Sequence, residues 1–263
     1  MNVLFIGNAI IDIISHVEEM GHIDPNLIGK MQIVSQNEIN NNIKLISNKK
    51  ILSGGSANNS ACGLSMLEED VCFVGKIGND HYGRVYLEQN EKHHVNTSLM
   101  VFDNKSKTGL SLIYVTPDGE RTMNTCPGAS ANLYTSDIPK TAFRGISGVF
   151  IEGYLFYSTQ GAELMSDSIN RAVRNNGFTA ISLSDVSCVD KYRDLFLNLI
   201  KTNKISLIFG NKMEMMSLLQ ARTERGLIIR MKGLSEFVER LIMTSGKDGA
   251  ISVEKGKLIR ATP

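Results

Sequence analysis

The sequence lacks an excess of charge, a metal-binding or disulfide-type cysteine spacing, and a long apolar run. Its 28 lysines and arginines balance 27 aspartates and glutamates, for a formal charge of +1, so it has no long-range field to attract nucleic acid or anionic lipid. The four cysteines are widely spaced and form no C-x-x-C pair, which is typical of the reducing cytoplasm. No apolar run approaches the ~20 residues of a membrane helix. These absences disfavour nucleic acid and membrane partners and predict a cytoplasmic location.

What the sequence does contain is an alternation of strand and helix patterns. With 42% hydrophobic residues in 263, it has enough apolar side chains for one large core, and one domain with an insertion is as plausible as two domains. Strands are predicted at 3–7, 71–78, 148–156, 178–185, 205–211 and 241–246, and helices at 56–69, 80–93, 159–175, 189–202, 211–220 and 233–240. This order predicts an α/β fold with a mainly parallel sheet and helices on both faces.

A segment with a β-hairpin pattern interrupts that order. Residues 108–125 contain two alternating runs joined by PDGE, which predicts a β-hairpin. Together with the polar segment 12–50, the hairpin is expected to form a small separate β layer. Residues 37–50 are interpreted as a polar surface stretch only.

The polar residues that follow the predicted strands are candidates for a ligand site, because ligands of open parallel sheets bind at the carboxyl ends of the strands. They are Asn8, Asp12, Glu152, Asp185, Asn211 and the segment 245–247. Glu152 is the most informative of them, because a carboxylate inside an apolar strand is costly unless it is paired or meets a ligand.

The stretch GGSANNSA, residues 54–61, precedes a predicted helix. Gly54 and Gly55 allow a positive φ and close approach of a ligand, and the Asn59 amide can hydrogen-bond to ligand hydroxyls. The stretch matches neither the G-x-x-x-x-G-K-[ST] phosphate loop nor the G-x-G-x-x-G dinucleotide motif. On its own, a glycine pair before a helix is most often only a turn.

Several motifs together resemble the ribokinase-like PfkB carbohydrate kinases, a family that includes adenosine kinases. The resemblance rests on GNAIID (7–12), GGSANNSA (54–61), VGKIGND with a glycine at 83, GERT (119–122) followed by GA, SLSDVSCVDKYRD (182–194), GNKME (210–214) and TSGKDGA (244–250). Their order and spacing agree over nearly the whole chain.

The resemblance implies a phosphotransferase that uses ATP and Mg²⁺ to phosphorylate a hydroxyl of a sugar or nucleoside. It implies substrate-binding roles for Asn8, Asp12, Gly54, Gly55, Asn59 and Glu152, nucleotide-binding roles for Asn211, Thr244, Gly246 and Gly249, and a role for Glu214 at the metal, through water. Segments 12–50 and 96–126 would form a lid that excludes water, with a homodimer through the lid as a further prediction.

Each residue also has a simpler interpretation. Asp12 is compatible with a solvated turn, Glu152 with a structural ion pair, and Glu214 with a surface position in a first helical turn. Asn211 is a preferred helix N-cap, a role that can coexist with ligand binding. The segment from Gly246 to Gly249 is compatible with an ordinary hairpin turn.

The family's second signature, D-T-x-G-A-G-D, does not occur in the sequence. In the family it supplies the catalytic aspartate and a glycine-rich helix N-terminus. The expectation is therefore that the 263 residues form one ribokinase-like domain without its C-terminal part, that the catalytic aspartate lies beyond Pro263, and that this chain alone shows no turnover. The alternative is a non-catalytic sugar- or nucleoside-binding remnant. A dinucleotide-dependent oxidoreductase is disfavoured, because the first strand leads into GNAIID.

Overall fold

The computed structural model describes residues 2–18, 28–46, 48–202 and 204–262. The strands are β1 (Asn2–Ile6), β2 (Ile10–His16), β3 (Met31–Ile33), β4 (Lys50–Gly54), β5 (Asp70–Val74), β6 (Lys76–Gly78), β7 (Val101–Asp103), β8 (Gly109–Val115), β9 (Arg121–Cys126), β10 (Gly148–Glu152), β11 (Phe178–Ser182), β12 (Leu207–Asn211), β13 (Arg240–Thr244), β14 (Ala250–Glu254) and β15 (Lys257–Ala261). The α-helices are α1 (Gln36–Lys44), α2 (Ser56–Ser65), α3 (His81–Lys92), α4 (Gly161–Arg174), α5 (Val186–Lys201), α6 (Lys212–Leu219) and α7 (Glu224–Leu234).

The chain divides into two compact units. The first unit contains Met1–Ile6, Glu69–Val71 and Tyr134–Pro263, and the second unit contains Gly7–Glu68 and Cys72–Leu133. Strand β5 begins in the first unit and continues into the second.

An eight-stranded sheet forms the centre of the first unit. Its order is β15-β14-β13-β12-β11-β10-β1-β5. Strands β1, β10, β11, β12 and β13 pair in parallel, and β13, β14 and β15 pair antiparallel at one edge. Four of the five residues in both β1 and β10 are buried, as expected for strands covered on both faces. The predicted α/β fold with a mainly parallel sheet is confirmed.

The second unit is built on a five-stranded sheet of order β3-β9-β8-β2-β4. Strands β8 and β9 form the predicted hairpin, while β2 pairs in parallel with β8 and antiparallel with β4. A separate parallel pair joins β6 and β7. Residues 19–27 and 47 of the predicted lid segment 12–50, and Pro263, lie outside the described residues.

Two helix predictions were wrong. The predicted helix at 233–240 lies earlier, in α7, because Thr223 caps that helix and Leu227, Met231 and Leu234 form its buried stripe. The stretch 37–50, interpreted as surface only, contains most of α1. The Ser35–Glu38 capping box starts α1, and the buried pair Ile39 and Ile43 fixes it.

Several strand predictions ran past the observed strands, and in two of them the observed strand stops at a glycine. The strand predicted at 148–156 ends at Glu152, and Gly153–Tyr157 form a 3₁₀ turn. A side chain at Gly153 would place its Cβ 2.8 Å from the ring of Phe196 and 2.8 Å from the Ser182 carbonyl oxygen, so the chain turns where only glycine fits. The strand predicted at 71–78 is divided into β5 and β6 at Gly75.

In the described part of the chain, none of the helices combines the length and the apolar character needed to span a bilayer.

Candidate active site

Asp12 and Gly54 lie side by side on neighbouring strands of the second unit. Strand β2 pairs with β4 so that Asp12 is opposite Leu52 and Ile10 is opposite Gly54. A Cβ at Gly54 would fall on the carboxyl group of Asp12. The carboxyl group therefore occupies the space of the missing side chain, and glycine at position 54 is what lets Asp12 lie there.

Gly55 begins helix α2 in a conformation that other residues avoid. Its φ is 95°, and a Cβ there would collide with the backbone carbonyl oxygen of Asn8. No side chain caps the helix at this position. The backbone of Asn8, which is itself buried, is thus held against the first turn of α2.

The environment of Asp12 changes its acidity. Asp12 lies within strand β2, so the interpretation as a solvated turn residue was wrong. Burial raises the pKa of Asp12 from 3.8 to about 7, and the positive charge of Arg121 on β9 opposes that rise. Near neutral pH the carboxyl group therefore has both a protonated and an ionised form, and it can donate to or accept from ligand hydroxyls.

The two asparagines of GGSANNSA face different surroundings. Asn59, the predicted ligand-binding residue, is exposed in the first turn of α2. Asn58 is fully buried, and neither its side-chain oxygen nor its nitrogen has a hydrogen-bond partner among the described residues. Sequence reasoning missed Asn58, since only the helical phase of α2 shows which of the two points inward.

In the first unit, Glu152 is the last residue of β10, opposite Ser182 at the end of β11. It was predicted inside a strand, but it stands at a carboxyl end with 1% of its surface exposed. Its charge contributes to raising the pKa values of Tyr154 and Cys188, after burial and the charge of Asp185.

The negative charges of three carboxyl groups act on the thiol of Cys188. Burial raises the pKa of Cys188 to about 12, and the charges of Asp185, Glu152 and Glu214 add to the rise. Asp185 also caps α5, accepting a hydrogen bond from the Cys188 amide at 2.6 Å. The thiol, which donates to the Gly153 carbonyl oxygen at 3.3 Å, is therefore protonated at neutral pH and is no nucleophile.

Asn211 and Glu214 form a closed pair at the start of α6. The side-chain oxygen of Asn211 accepts a hydrogen bond from the backbone amide of Glu214 at 2.9 Å. In return, the backbone amide of Asn211 donates to Oε2 of Glu214 at 2.9 Å, and its side-chain Nδ2 donates to Oε1 at 2.6 Å. The capping role weighed for Asn211 is thus present. Glu214 is 7% exposed, so the interpretation as a surface residue was wrong.

The electrostatics of Glu214 follow from its burial. Burial raises the pKa of Glu214, the hydrogen bonds from Asn211 lower it, and the negative charge of Asp185 raises it further. A buried carboxylate held in place by its neighbours can accept a hydrogen bond from an ordered water or a hydrated cation.

Thr244 lies beside this pair, and Gly246 and Gly249 follow it in the chain. Thr244 is exposed at the end of β13, directly opposite Asn211. Gly246 has φ 55° with open space where a Cβ would be, and Gly249 has φ 82°, where a Cβ would collide with the Ala261 carbonyl oxygen. The Ser245 amide donates to the Gly249 carbonyl oxygen at 2.8 Å, which makes this segment a hairpin turn between β13 and β14, as the simpler interpretation held.

The structure therefore groups the predicted residues into two sets, one on each unit. Asn8, Asp12, Gly54, Gly55 and Asn59 belong to the second unit. Glu152, Asn211, Glu214, Thr244, Gly246 and Gly249 belong to the first unit.

Comparison with known proteins decides the family. The sequence model described as "pfkB family carbohydrate kinase" matches residues 2–263. The chain belongs to the pfkB family of carbohydrate kinases. The resemblance proposed from the motifs is thereby confirmed.

Solved structures agree with the assignment of this pfkB-family chain. An adenosine kinase from Sinorhizobium meliloti is 26% identical with a TM-score of 0.91, over 99% of this chain and 79% of that one. A probable sugar kinase from Rhizobium etli CFN 42 is also 26% identical with a TM-score of 0.89, over 99% and 78%. The ribokinase-like fold is thus shown.

Curated relatives match over shorter stretches. "Probable fructokinase-7" of Arabidopsis thaliana is 37% identical over 68 residues, which are 26% of this chain and 20% of that protein. A ribokinase from Staphylococcus aureus (strain COL) is 29% identical over 90 residues, 34% of this chain and 30% of that protein. The matched stretches therefore span from a fifth to under a third of these relatives.

Kinases of this family use ATP, usually with Mg²⁺. Mg²⁺ prefers oxygen ligands, retains waters, and is commonly held by one or two carboxylates with the substrate phosphates. Glu214 offers one fixed, buried carboxylate. No group of three acidic, histidine or cysteine side chains with metal-site geometry occurs among the described residues.

Proposed function

We propose that this chain belongs to an enzyme that transfers a phosphoryl group from MgATP to a hydroxyl of a sugar or nucleoside. The second unit contributes the part that holds the hydroxyl substrate. The first unit contributes part of the nucleotide and magnesium site.

The observation that carries the proposal is the Asp12 carboxyl group lying in the space of the missing Gly54 side chain. A carboxylate accepts hydrogen bonds from two vicinal hydroxyls at once, and a site built to pair hydroxyls rejects molecules that lack them. The adjacent Gly55 keeps the backbone of Asn8 close to the start of α2, and Asn59 on the same helix turn provides a further amide. This set suits a polyol, in which several hydroxyls lie close together.

On the first unit, Asn211 and Glu214 would act on the metal and phosphate region, and Thr244, Gly246 and Gly249 would line the nucleotide. Bound MgATP supplies the transferable phosphoryl group and the charge that polarises it. The chain's own contribution is to hold the Glu214 side chain in a fixed position through Asn211. Glu152, buried at the end of β10, would orient the substrate or its neighbours.

Several expectations accompany this proposal. We propose that residues 1–263 form a single domain with a lid at 12–50 and 96–126. We also propose that the protein dimerises through the lid and resides in the cytoplasm. The absence of turnover in residues 1–263 by themselves stays a prediction, and ATP-dependent phosphorylation of any sugar or nucleoside by this chain would contradict it.

Titration calorimetry of the 263-residue chain with adenosine, ribose and fructose tests the proposal. At least one of these ligands is expected to bind saturably, and Asp12→Asn is expected to weaken that binding roughly 10- to 100-fold, because a carboxylate that accepts two hydroxyls becomes an amide. Asp194→Asn, which makes the same charge change at a side chain that is 99% exposed, is the control and should bind as the unaltered chain does. Equal affinity in the Asp12 and Asp194 variants would refute the assignment of Asp12.

A further inference from the structure

Helix α6 connects the Asn211–Glu214 pair to a set of contacts at its other end. It has eight residues, about 12 Å of helix, and it follows β12 without a loop, since Asn211 is both the last strand residue and the N-cap. A helix this short is not stable alone. Its position is therefore set by what holds its ends and its buried face.

Two arginines bind the C-terminal end of α6. Nε of Arg193, on α5, donates to the Leu218 carbonyl oxygen at 2.8 Å, and a terminal guanidinium nitrogen of Arg230, on α7, donates to the Leu219 carbonyl oxygen at 2.5 Å. The last carbonyls of a helix have no partner within it, and positive charge is favourable at this end of the helix dipole. Both arginines thus satisfy groups that α6 leaves open.

Further contacts connect α6 to the same two helices. The Ser217 hydroxyl donates to the Asp190 carboxylate on α5. At the other end, Nζ of Lys212 pairs with Glu224 of α7 at 2.8 Å. The helix is thereby fixed to α7 at both ends and to α5 at its C-terminal end, and its last turn closes at Gln220, whose φ is 50°.

The function of this arrangement follows from the geometry of the pair. All three hydrogen bonds between Asn211 and Glu214 span the junction of β12 and α6. A shift of α6 along its axis would stretch these bonds, because β12 is fixed in the sheet between β11 and β13. Contacts that prevent such a shift also keep the Glu214 carboxylate in place.

We propose that Arg193 and Arg230 are positioning residues that hold Asn211 and Glu214 in place for the magnesium nucleotide, although neither arginine touches it. The expected effect on MgATP affinity rests on the proposed function. Two side chains on α5 and α7 thus affect nucleotide affinity and leave affinity for the hydroxyl substrate unchanged.

The test measures two properties of Arg193→Met, Arg230→Met and the double variant. The dissociation constant for MgATP, without an acceptor, is expected to rise about threefold in each single variant and roughly tenfold in the double variant, because small displacements of positioned groups are costly. The amide hydrogen exchange rate of Glu214, measured by NMR, is expected to rise in parallel. Lysine at either position retains a charged donor, so it should restore much of the MgATP affinity and much of the protection of the Glu214 amide from exchange.

Matched controls separate positioning from general loss of stability. Arg225→Met removes an exposed arginine from the same helix, α7, and should change neither property. The exchange rate of the Glu38 amide, which belongs to the capping box on α1, should stay constant in all variants, as should the affinity for the best-bound polyol.

Lower melting temperatures with unchanged MgATP affinity and unchanged Glu214 exchange would overturn the inference. If a methionine variant does not fold, the corresponding lysine variant decides by the same two measurements. Absence of MgATP binding by the unaltered chain would contradict the nucleotide part of the proposed function instead, and the exchange rates alone would then decide whether the arginines hold the pair.

Discussion

The two sets of site residues are organised by different physical means. On the second unit, Gly54 and Gly55 place Asp12 and Asn8 by leaving space that no other residue would leave. On the first unit, Asn211 and Glu214 are placed by hydrogen bonds and charge, with open space around Gly246. The comparison teaches that added volume at Gly54 or Gly55 should damage the substrate residues of the second unit. Lost hydrogen bonds should instead damage the Asn211–Glu214 pair of the first unit.

The largest effect is expected for Gly55→Ala. The new Cβ would collide with the Asn8 backbone at φ 95°, so we expect polyol binding to be lost and the free energy of unfolding to fall by roughly 3–5 kcal/mol. Urea unfolding and calorimetry measure both.

Two matched glycine substitutions sharpen this result. Gly63 lies in the same helix with no atom within 4 Å of a Cβ, and alanine there should stabilise the chain by about 0.5–1 kcal/mol. Gly246→Ala adds a side chain at φ 55° into open space, so it should cost only about 1–2 kcal/mol. Equal losses at Gly55 and Gly246 would remove the contrast in steric demand.

The next effect is the pH dependence that Asp12 imposes. Its pKa is raised from 3.8 to about 7 in the folded chain, so the folded state binds a proton that the unfolded state has released between these values. The contribution of this bound proton to the free energy of unfolding is complete below about pH 4 and is lost as the pH rises to about 7. Discounted for partial exposure, it amounts to roughly 2 kcal/mol.

Urea midpoints measured from pH 4 to pH 8 check this sign. Asp12→Asn should abolish the contribution of this group to the decline, whereas Asp103→Asn should leave it in place. The pKa of Asp103 is lowered to about 2, chiefly by the Lys105 amide, so its own contribution is present above pH 4 and is lost as the pH falls towards 2. An unchanged decline in Asp12→Asn would contradict the assignment.

A smaller effect is expected for Asn211→Ala. Removal of an N-cap costs about 1–2 kcal/mol, and we expect MgATP affinity to fall with it. Ser35→Ala is the control, because Ser35 and Glu38 form the same type of capping box on α1. It should also lower stability, by about 0.5–1 kcal/mol because this box is exposed, yet leave MgATP affinity unchanged. A loss of MgATP affinity in the Ser35 variant would show that affinity follows overall stability.

The smallest effect is expected for Asn58→Leu. The two side chains have nearly the same shape, and the buried amide has no partner among the described residues. Removing an unsatisfied polar group should stabilise the chain by about 1 kcal/mol, seen as a higher melting temperature. A lower melting temperature would instead show that the Asn58 amide is hydrogen-bonded in solution, for example to a buried water.

The parallel sheet could be predicted from sequence because its strands are short apolar runs separated by helix-length segments. The GG and N-x-x-E motifs could also be found, because their spacing is local. Helix α7 could not be placed, since its buried stripe of Leu227, Met231 and Leu234 is masked by the charged residues at 222, 224, 225, 230 and 232.

The electrostatics of the site were beyond the sequence for a different reason. The raised pKa of Asp12 depends on burial produced by strands distant in sequence, and its proximity to Arg121 depends on the pairing of β2 with β8 and of β8 with β9. The same holds for Glu214, whose burial excludes the surface position weighed for it. The local sequence identifies a carboxylic acid as a candidate, but tertiary packing determines its burial and its pKa.

The most direct test of the account is a crossed binding experiment on the 263-residue chain. Gly55→Ala and Asn211→Ala are each titrated with MgATP and with the polyol that the unaltered chain binds best. We predict that Gly55→Ala loses the polyol and retains MgATP, and that Asn211→Ala does the reverse. Loss of both ligands in both variants, or of neither in either, would contradict the assignment of the polyol to the sterically organised residues and of the nucleotide to the hydrogen-bonded pair.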